Sequence, residues 1–96
     1  METLTPVCRF QLFVAGNTPN SLEALSNLTR LCREHLPGRH EIDVIDVFLE
    51  PSRALAERIF MTPTLIRQEP SPLRIVGTLG NAEPLFLALG LQTAAS

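Results

Sequence analysis

Ninety-six residues, 45% hydrophobic and 19% charged, allow one globular domain with a modest core, and no apolar run approaches the ~20 residues that would span a bilayer. Eight arginines and no lysine face ten carboxylates, for a formal net charge of −2. Neither sign is bunched into a run, which removes the electrostatic footprint of a nucleic-acid binder and predicts no such partner.

In chain order, Phe10, Leu12 and Val14 alternate with Arg9 and Gln11, the two-residue period of a strand running from about Val7 to Ala15. Phe13 on the opposite parity predicts that the second face is partly covered too. Asn17 to Ser21 offers two start signals for a helix. Thr18 precedes Pro19 at the first helical position, and Asn20 stands three residues before Glu23 at capping-box spacing. Leu22, Leu25, Leu28, Leu31, Cys32 and Leu36 recur at steps of three and four and predict the apolar face, and Pro37-Gly38 stops the helix. The segment from Glu41 to Phe48 is rich in β-branched residues and predicts a buried second strand interrupted by Asp43 and Asp46. Strand, helix and strand so spaced imply a right-handed parallel βαβ unit.

The second half is built of shorter pieces. Pro51 suits a helix's first turn, and Leu55, Ile59 and Phe60 form an apolar stripe reaching Thr62-Pro63, where the residue before proline is pushed toward extended geometry. Thr64 to Arg67 and Leu73 to Val76 read as strands joined through Pro70-Ser71-Pro72, and Asn81 as the cap of a last helix passing Pro84, Leu85, Phe86 and Leu89. The small, polar tail from Gln92 to Ser96 is expected to fray. The N-terminus, Met1 to Pro6, lacks the basic-then-apolar order of a secretory signal, and a cytoplasmic location is expected.

A strand, a tight turn into a helix and a later Thr-Pro entering a strand is the layout of a thioredoxin-like chain, which places its nucleophilic thiolate at that first turn. The helix N-terminus lowers a thiol's pKa there. Residues 16 to 21 hold no cysteine, and Ser21 has no neighbouring base to activate it. Cys8 and Cys32 fit two buried thiols better than a redox pair. Cys32 and His35 lie three apart on the first helix, but only Cys8 and His40 remain to complete a zinc set, so no metal is expected. Glu41, Asp43 and Asp46 read as a solvated strand edge rather than acid-base groups. No phosphate-binding glycine loop exists, so neither a nucleotide nor any other cofactor is predicted.

Taken together, Phe13 to Ser21, Val44-Ile45-Asp46-Val47, Pro51, Ile59, Thr62-Pro63-Thr64-Leu65, and Ile75-Val76-Gly77 after a Pro-x-Pro resemble the KaiB family of circadian clock proteins. The resemblance covers residues 9 to 90 of what is read as one domain, 1–96. The Val-Ala-Gly-Asn-Thr-Pro-Asn-Ser run is its most specific part. Gly77-Thr78-Leu79-Gly80 replaces the family's Gly-Asp-Leu-Ser, Arg58 a common lysine, and Glu50 an asparagine cap.

The resemblance implies an α/β, thioredoxin-like protein with no catalytic residues. It would bind a KaiC-type ATPase and autokinase, modulate its phosphorylation, and engage KaiA or a SasA-type histidine kinase. It also implies fold switching. The N-terminal βαβ unit stays, while the C-terminal half either completes βαβαββα or rearranges to an overall βαββααβ that assembles into dimers or tetramers. By the same resemblance Ala54, Arg58 and Ile59 form the partner face, and Pro63, Gly77 and Gly80 serve the switch, with Thr62-Pro63 cis in the thioredoxin-like form. The competing expectations are a thioredoxin-fold redox protein, disfavoured by the cysteine-free turn, and a stand-alone sensor domain like the SasA input domain, disfavoured by the lack of a following kinase domain.

Overall fold

The computed structural model describes residues 7–69 and 71–95. Their order is β1 (Cys8–Val14), α1 (Pro19–His35), β2 (His40–Asp46), α2 (Pro51–Ala56), β3 (Thr64–Arg67), β4 (Leu73–Val76) and α3 (Glu83–Ala95), the βαβαββα arrangement. The four strands form one sheet in the order β2-β1-β3-β4. β1 and β2 run parallel, with Cys8 opposite His40 and Val14 opposite Asp46, as the βαβ spacing requires. β3 is antiparallel to β1 and to β4.

β1 is central, and its two parities feed two cores. Cys8, Phe10, Leu12 and Val14 join Leu65, the inner faces of α1 and α3, and Leu79 in the main core. Phe10 stacks on Phe86 of α3 with ring centroids 5.5 Å apart. Phe13 points the other way, into a smaller core with Ile45, Ala54 and Ile66, flanked by Val47 and Ile59. Coverage of the second face, expected from Phe13, is what α2 provides.

The expected α1 face needs rotating. Ser21, Ala24, Leu28, Leu31 and Cys32 are buried, whereas Leu22 is exposed. Leu22 lies about 100° around the helix from Ser21, and the stripe meeting the sheet runs through the smaller residues at 21 and 24. The helix begins at Pro19, so the Asn20–Glu23 box is not its cap. The Thr18 hydroxyl donates to Ser21 Oγ at 2.9 Å, and Ser21 Oγ accepts the Ala15 N–H at 3.1 Å, tying the turn to β1.

β2 is less buried than its composition suggested, with Val44 exposed and only Ile45 fully enclosed. It is a sheet edge, and its acidic residues are those of a solvated edge. Glu41 pairs with Arg9 at 3.1 Å and Asp43 with Arg53 at 2.7 Å. Asp46 ends the strand by accepting the Phe48 N–H at 2.9 Å, two residues before the expected boundary.

α3 starts at Glu83 rather than after Asn81, with the Ala82 carbonyl accepting the Phe86 N–H at 3.1 Å. The segment expected to fray continues as helix to Ala95, and Ser96 lies outside the described residues, as does Pro70 of the β3–β4 loop. α3 packs so close to α1 that a Cβ on Gly90 would sit 2.5 Å from the His35 carbonyl oxygen.

Candidate functional site: an apolar apron around α2

The loops on either side of α2 reach the same end of the sheet, where β1 turns into α1. Asp46 pairs with Val14 as β2 ends, and Thr64 pairs with Phe13 as β3 begins. The Val47 N–H donates to the Val14 carbonyl at 2.8 Å, fixing the first loop. The Leu49 and Glu50 N–H groups both reach the Asp46 carbonyl, at 3.1 and 2.9 Å, so the chain folds tightly into Pro51.

α2 is only six residues long because its end is capped early. The Arg58 N–H donates to the Leu55 carbonyl at 3.0 Å and the Ile59 N–H to the Ala54 carbonyl at 2.9 Å. That pair of bonds is a Schellman motif, and it requires a left-handed residue at Arg58, whose φ is 55°. Ile59 and Ala54 meet in the small core, supplying the motif's usual apolar contact. The helix expected to reach Thr62 therefore ends at Ala56. Arg74 of β4 donates to the Glu57 carbonyl at 2.7 Å, placing a cation at the helix's negative end.

This geometry sorts the residues expected at the partner face. Ala54 is buried and Ile59 half-buried, so both hold α2 on the sheet, while Arg58 projects into solvent. On α2 and in the two loops flanking it, other side chains that periodicity alone assigned inward or passed over are exposed as well. Leu55 is 79% exposed, Phe60 86%, Phe48 72%, Leu49 79% and Met61 64%. Five large apolar groups on α2 and its two flanks are a surface held out of the core rather than a stray leucine, and such surfaces mark interaction sites. Only Leu49 and Met61 carried a signal in the sequence: they sit in turns just before Pro51 and Thr62-Pro63, outside the strand and helix periods that took in Phe48, Leu55 and Phe60. Next to the apron, Arg53 donates to Asp43 at 2.7 Å and Glu50 at 3.2 Å, and these hydrogen bonds raise its pKa further.

The Thr62-Pro63 bond is cis, as expected of this fold. Gly77 adopts φ 117°, and its N–H donates to the Pro63 carbonyl at 2.9 Å. Gly80 does not share a positive φ. The left-handed residue of that turn is Leu79, at φ 67°, whose buried side chain anchors it in the main core.

At the turn into α1, Ser21 is 2% exposed and fully engaged in holding the turn, a structural role. Cys8 and Cys32 are free thiols buried together in the main core. Burial, reinforced by Cys8, pushes the Cys32 thiol up to about 12, the opposite of an activated nucleophile. Cys8, Cys32, His35 and His40, the residues considered for zinc, do not form one ligand cluster among the described residues. His40 Nδ1 meets the Leu36 carbonyl at 2.7 Å, and His35 Nε2 lies 3.4 Å from Glu83 at the α1–α3 junction.

Comparison with known proteins places this arrangement. Residues 11–91 match the KaiB domain. The chain is 42% identical to the circadian clock protein KaiB3 of Synechocystis sp. strain PCC 6803 over 82 residues, covering 84% of this chain and 80% of that protein. It is 42% identical to the circadian clock oscillator protein KaiB of Thermostichus vulcanus over 92 residues, covering 95% and 85%. Among solved structures it is similar to the N-terminal domain of Synechococcus elongatus SasA, with a TM-score of 0.72, 20% identity and coverage of 99% and 90%. Chloroplastic thioredoxin z gives a TM-score of 0.73 at 23% identity, covering 94% and 80%. The structural likenesses establish a thioredoxin-like fold, and the sequence matches establish the lineage: the chain belongs to the KaiB family of circadian clock proteins.

Proposed function

We propose that this protein is a non-enzymatic clock or signalling adaptor that binds a KaiC-type ATPase and autokinase and modulates its phosphorylation state. The observation that carries the reading is the exposure of Phe48, Leu49, Leu55, Phe60 and Met61 on α2 and its two flanks, together with the exposed Arg58 at the end of α2, in a chain of KaiB lineage. Apolar surface together with a cation is a docking chemistry, in which the apolar groups supply burial and Arg58 supplies orientation and partner choice. Ala54 and Ile59 act from beneath, holding α2 in place, and the face works without a cofactor. The chain acts as one unit in the cytoplasm. No described helix is long and apolar enough to cross a membrane.

Fold switching belongs to the same reading. The βαββααβ arrangement, with assembly into dimers or tetramers, is its alternative state, and Pro63, Gly77 and Gly80 flank the segments that must move. A KaiA-type protein or a SasA-type kinase is a further partner, the latter as a competitor for the same site. The likeness to the SasA N-terminal domain supports competition, since two proteins of one fold can present similar docking faces. The test is calorimetric titration of this chain into a KaiC-type ATPase, repeated with Phe60→Ser and Arg58→Glu, and with the ATPase's phosphorylation followed over time. Binding weakened at least tenfold by either substitution, with circular dichroism unchanged, supports the reading. Undiminished binding by both variants removes the apron from the interface, and no binding by the parent chain refutes the function.

A further inference from the structure

Arg67, the last residue of β3, is 4% exposed, yet no carboxylate among the described residues lies within ion-pair distance of it. Its hydrogen bonds run to Ser71 instead. Nε and Nη2 donate to the Ser71 carbonyl at 3.3 and 3.1 Å, and Nη2 donates to Ser71 Oγ at 3.0 Å. A buried guanidinium facing only neutral acceptors is electrostatically incomplete, because desolvation of its charge is offset by dipoles alone.

The group it touches is a good place to add charge. Ser71 is exposed, in the loop joining β3 to β4, and stands in a Pro-Ser-Pro sequence. Pro72 biases Ser71 toward extended backbone, the form in which a kinase cleft receives a substrate segment. An exposed serine, a Ser-Pro sequence and a waiting buried cation are three separate observations meeting at one residue.

We propose that Ser71 is a phosphorylation site and that Arg67 is the pre-positioned receiver of its phosphate. In the reaction Ser71 Oγ attacks the γ-phosphorus of ATP held by a serine kinase. The Oγ–P bond forms as the bond to the β-phosphate oxygen breaks, the hydroxyl proton passes to the kinase's base, and ADP leaves. The product carries about −1.5 to −2 charge at neutral pH and three acceptor oxygens, and a guanidinium pairs with such a group through two parallel hydrogen bonds. The new pair fastens the loop to the end of β3 and stabilises the β3–β4 hairpin. Glu69, two residues before, is exposed and opposes the added charge only through solvent.

The experiment encodes phosphoserine at position 71 of the full chain. The thermal midpoint should rise by about 4 °C or more over the unmodified protein. The phosphate's titration, followed by phosphorus NMR, should fall below its usual pKa of about 6. In Arg67→Gln both effects should vanish. A synthetic phosphopeptide spanning residues 66–76 gives the unpaired titration, so the comparison stands even if that variant does not fold. A phosphoserine chain no more stable than its parent, or a phosphate titrating as in the peptide, overturns the receiver role. Phosphopeptide mapping of the protein isolated from its native host across growth and light conditions should find Ser71 modified, and its absence throughout overturns the site. Neither result depends on binding to an ATPase.

Discussion

Cys32 is the clearest titration switch in the molecule. With no lysine or tyrosine present, few other groups change charge over the range in which Cys32 does, arginines titrating higher. Burial raises the folded Cys32 pKa to about 12 from 9.0, so the folded state keeps a proton that the unfolded chain releases. Stability contributed by this group is complete below about pH 9 and is lost as pH rises toward 12, with a slope of up to about 1.4 kcal/mol per pH unit. Denaturant titrations at pH 8, 9, 10 and 11 should show that decline, and Cys32→Ala, less stable at neutral pH, should show a flatter one. Equal slopes would mean that the thiol ionises without unfolding. Arg58 gives a second prediction at this scale. Its left-handed backbone costs an L-residue about 1–2 kcal/mol, so Arg58→Gly should stabilise the fold by roughly 0.5–1 kcal/mol, the looser unfolded chain offsetting part of the gain. The same substitution should weaken binding to a KaiC-type ATPase. Thermal melts and calorimetry together separate the backbone's interest from the side chain's.

At the scale of elements, the C-terminal half is held by two glycines of different kinds. Gly77 needs its φ of 117°, and an added Cβ there meets nothing within 4 Å. Gly77→Ala should therefore cost about 1–3 kcal/mol through backbone strain alone. Gly90 is the reverse case. Its Cβ would meet the His35 carbonyl at 2.5 Å, so Gly90→Ala must push α3 away from α1 and should cost about 1–3 kcal/mol through overpacking. Gly80→Ala should be nearly neutral, since its Cβ makes only an ordinary contact with Thr78 Oγ1 at 3.7 Å. Urea melts of the three variants test the ranking. If Gly80→Ala proves as costly as Gly77→Ala, strain in this turn is placed differently from the backbone described above. Where a second arrangement is accessible, the Gly77 and Gly90 variants should enrich a second NMR peak set and Gly80→Ala should not.

Across the whole molecule the two halves differ in how they are held. β1 and β2 pair over seven residues and share α1, whereas β3 and β4 are four residues each and α2 six. Short elements open at lower free energy. Native-state hydrogen exchange should place β1, α1 and the β1–β2 ladder in the most protected unit, with α2 and β4 opening first. Uniform protection through both halves would count against a C-terminal half able to rearrange independently. Links across the halves set how strongly they are coupled. Asn27 of α1 donates to the Thr78 carbonyl at 2.8 Å, and Arg53 of α2 donates to Asp43 of β2 at 2.7 Å.

Local pattern was enough for much of this. Alternation at Phe10, Leu12 and Val14, proline at the start of α1 and α2, and the Pro37-Gly38 stop are decided within a few residues, so the elements and the parallel βαβ unit could be read from the chain. The motif run through Thr18-Pro19-Asn20-Ser21 and the Thr62-Pro63 step carried the family. Rotation of α1, which buries Ser21 and Ala24 and exposes Leu22, could not be read, because it depends on where the sheet lies. Nor could the solvation of β2, since composition does not say which strand is an edge. The apron was hidden for a related reason. Leu55, Ile59 and Phe60 have the spacing of one helical face, but a Schellman cap at Arg58 ends the helix before Ile59 and Phe60, so Ile59 packs into the small core while Leu55, on the helix, and Phe60, beyond it, are exposed. Periodicity reports only which side chains could share a face. Whether that face meets the core or the solvent is settled by the packing of distant segments, and here that decision separates a second core from the surface on which the proposed function rests.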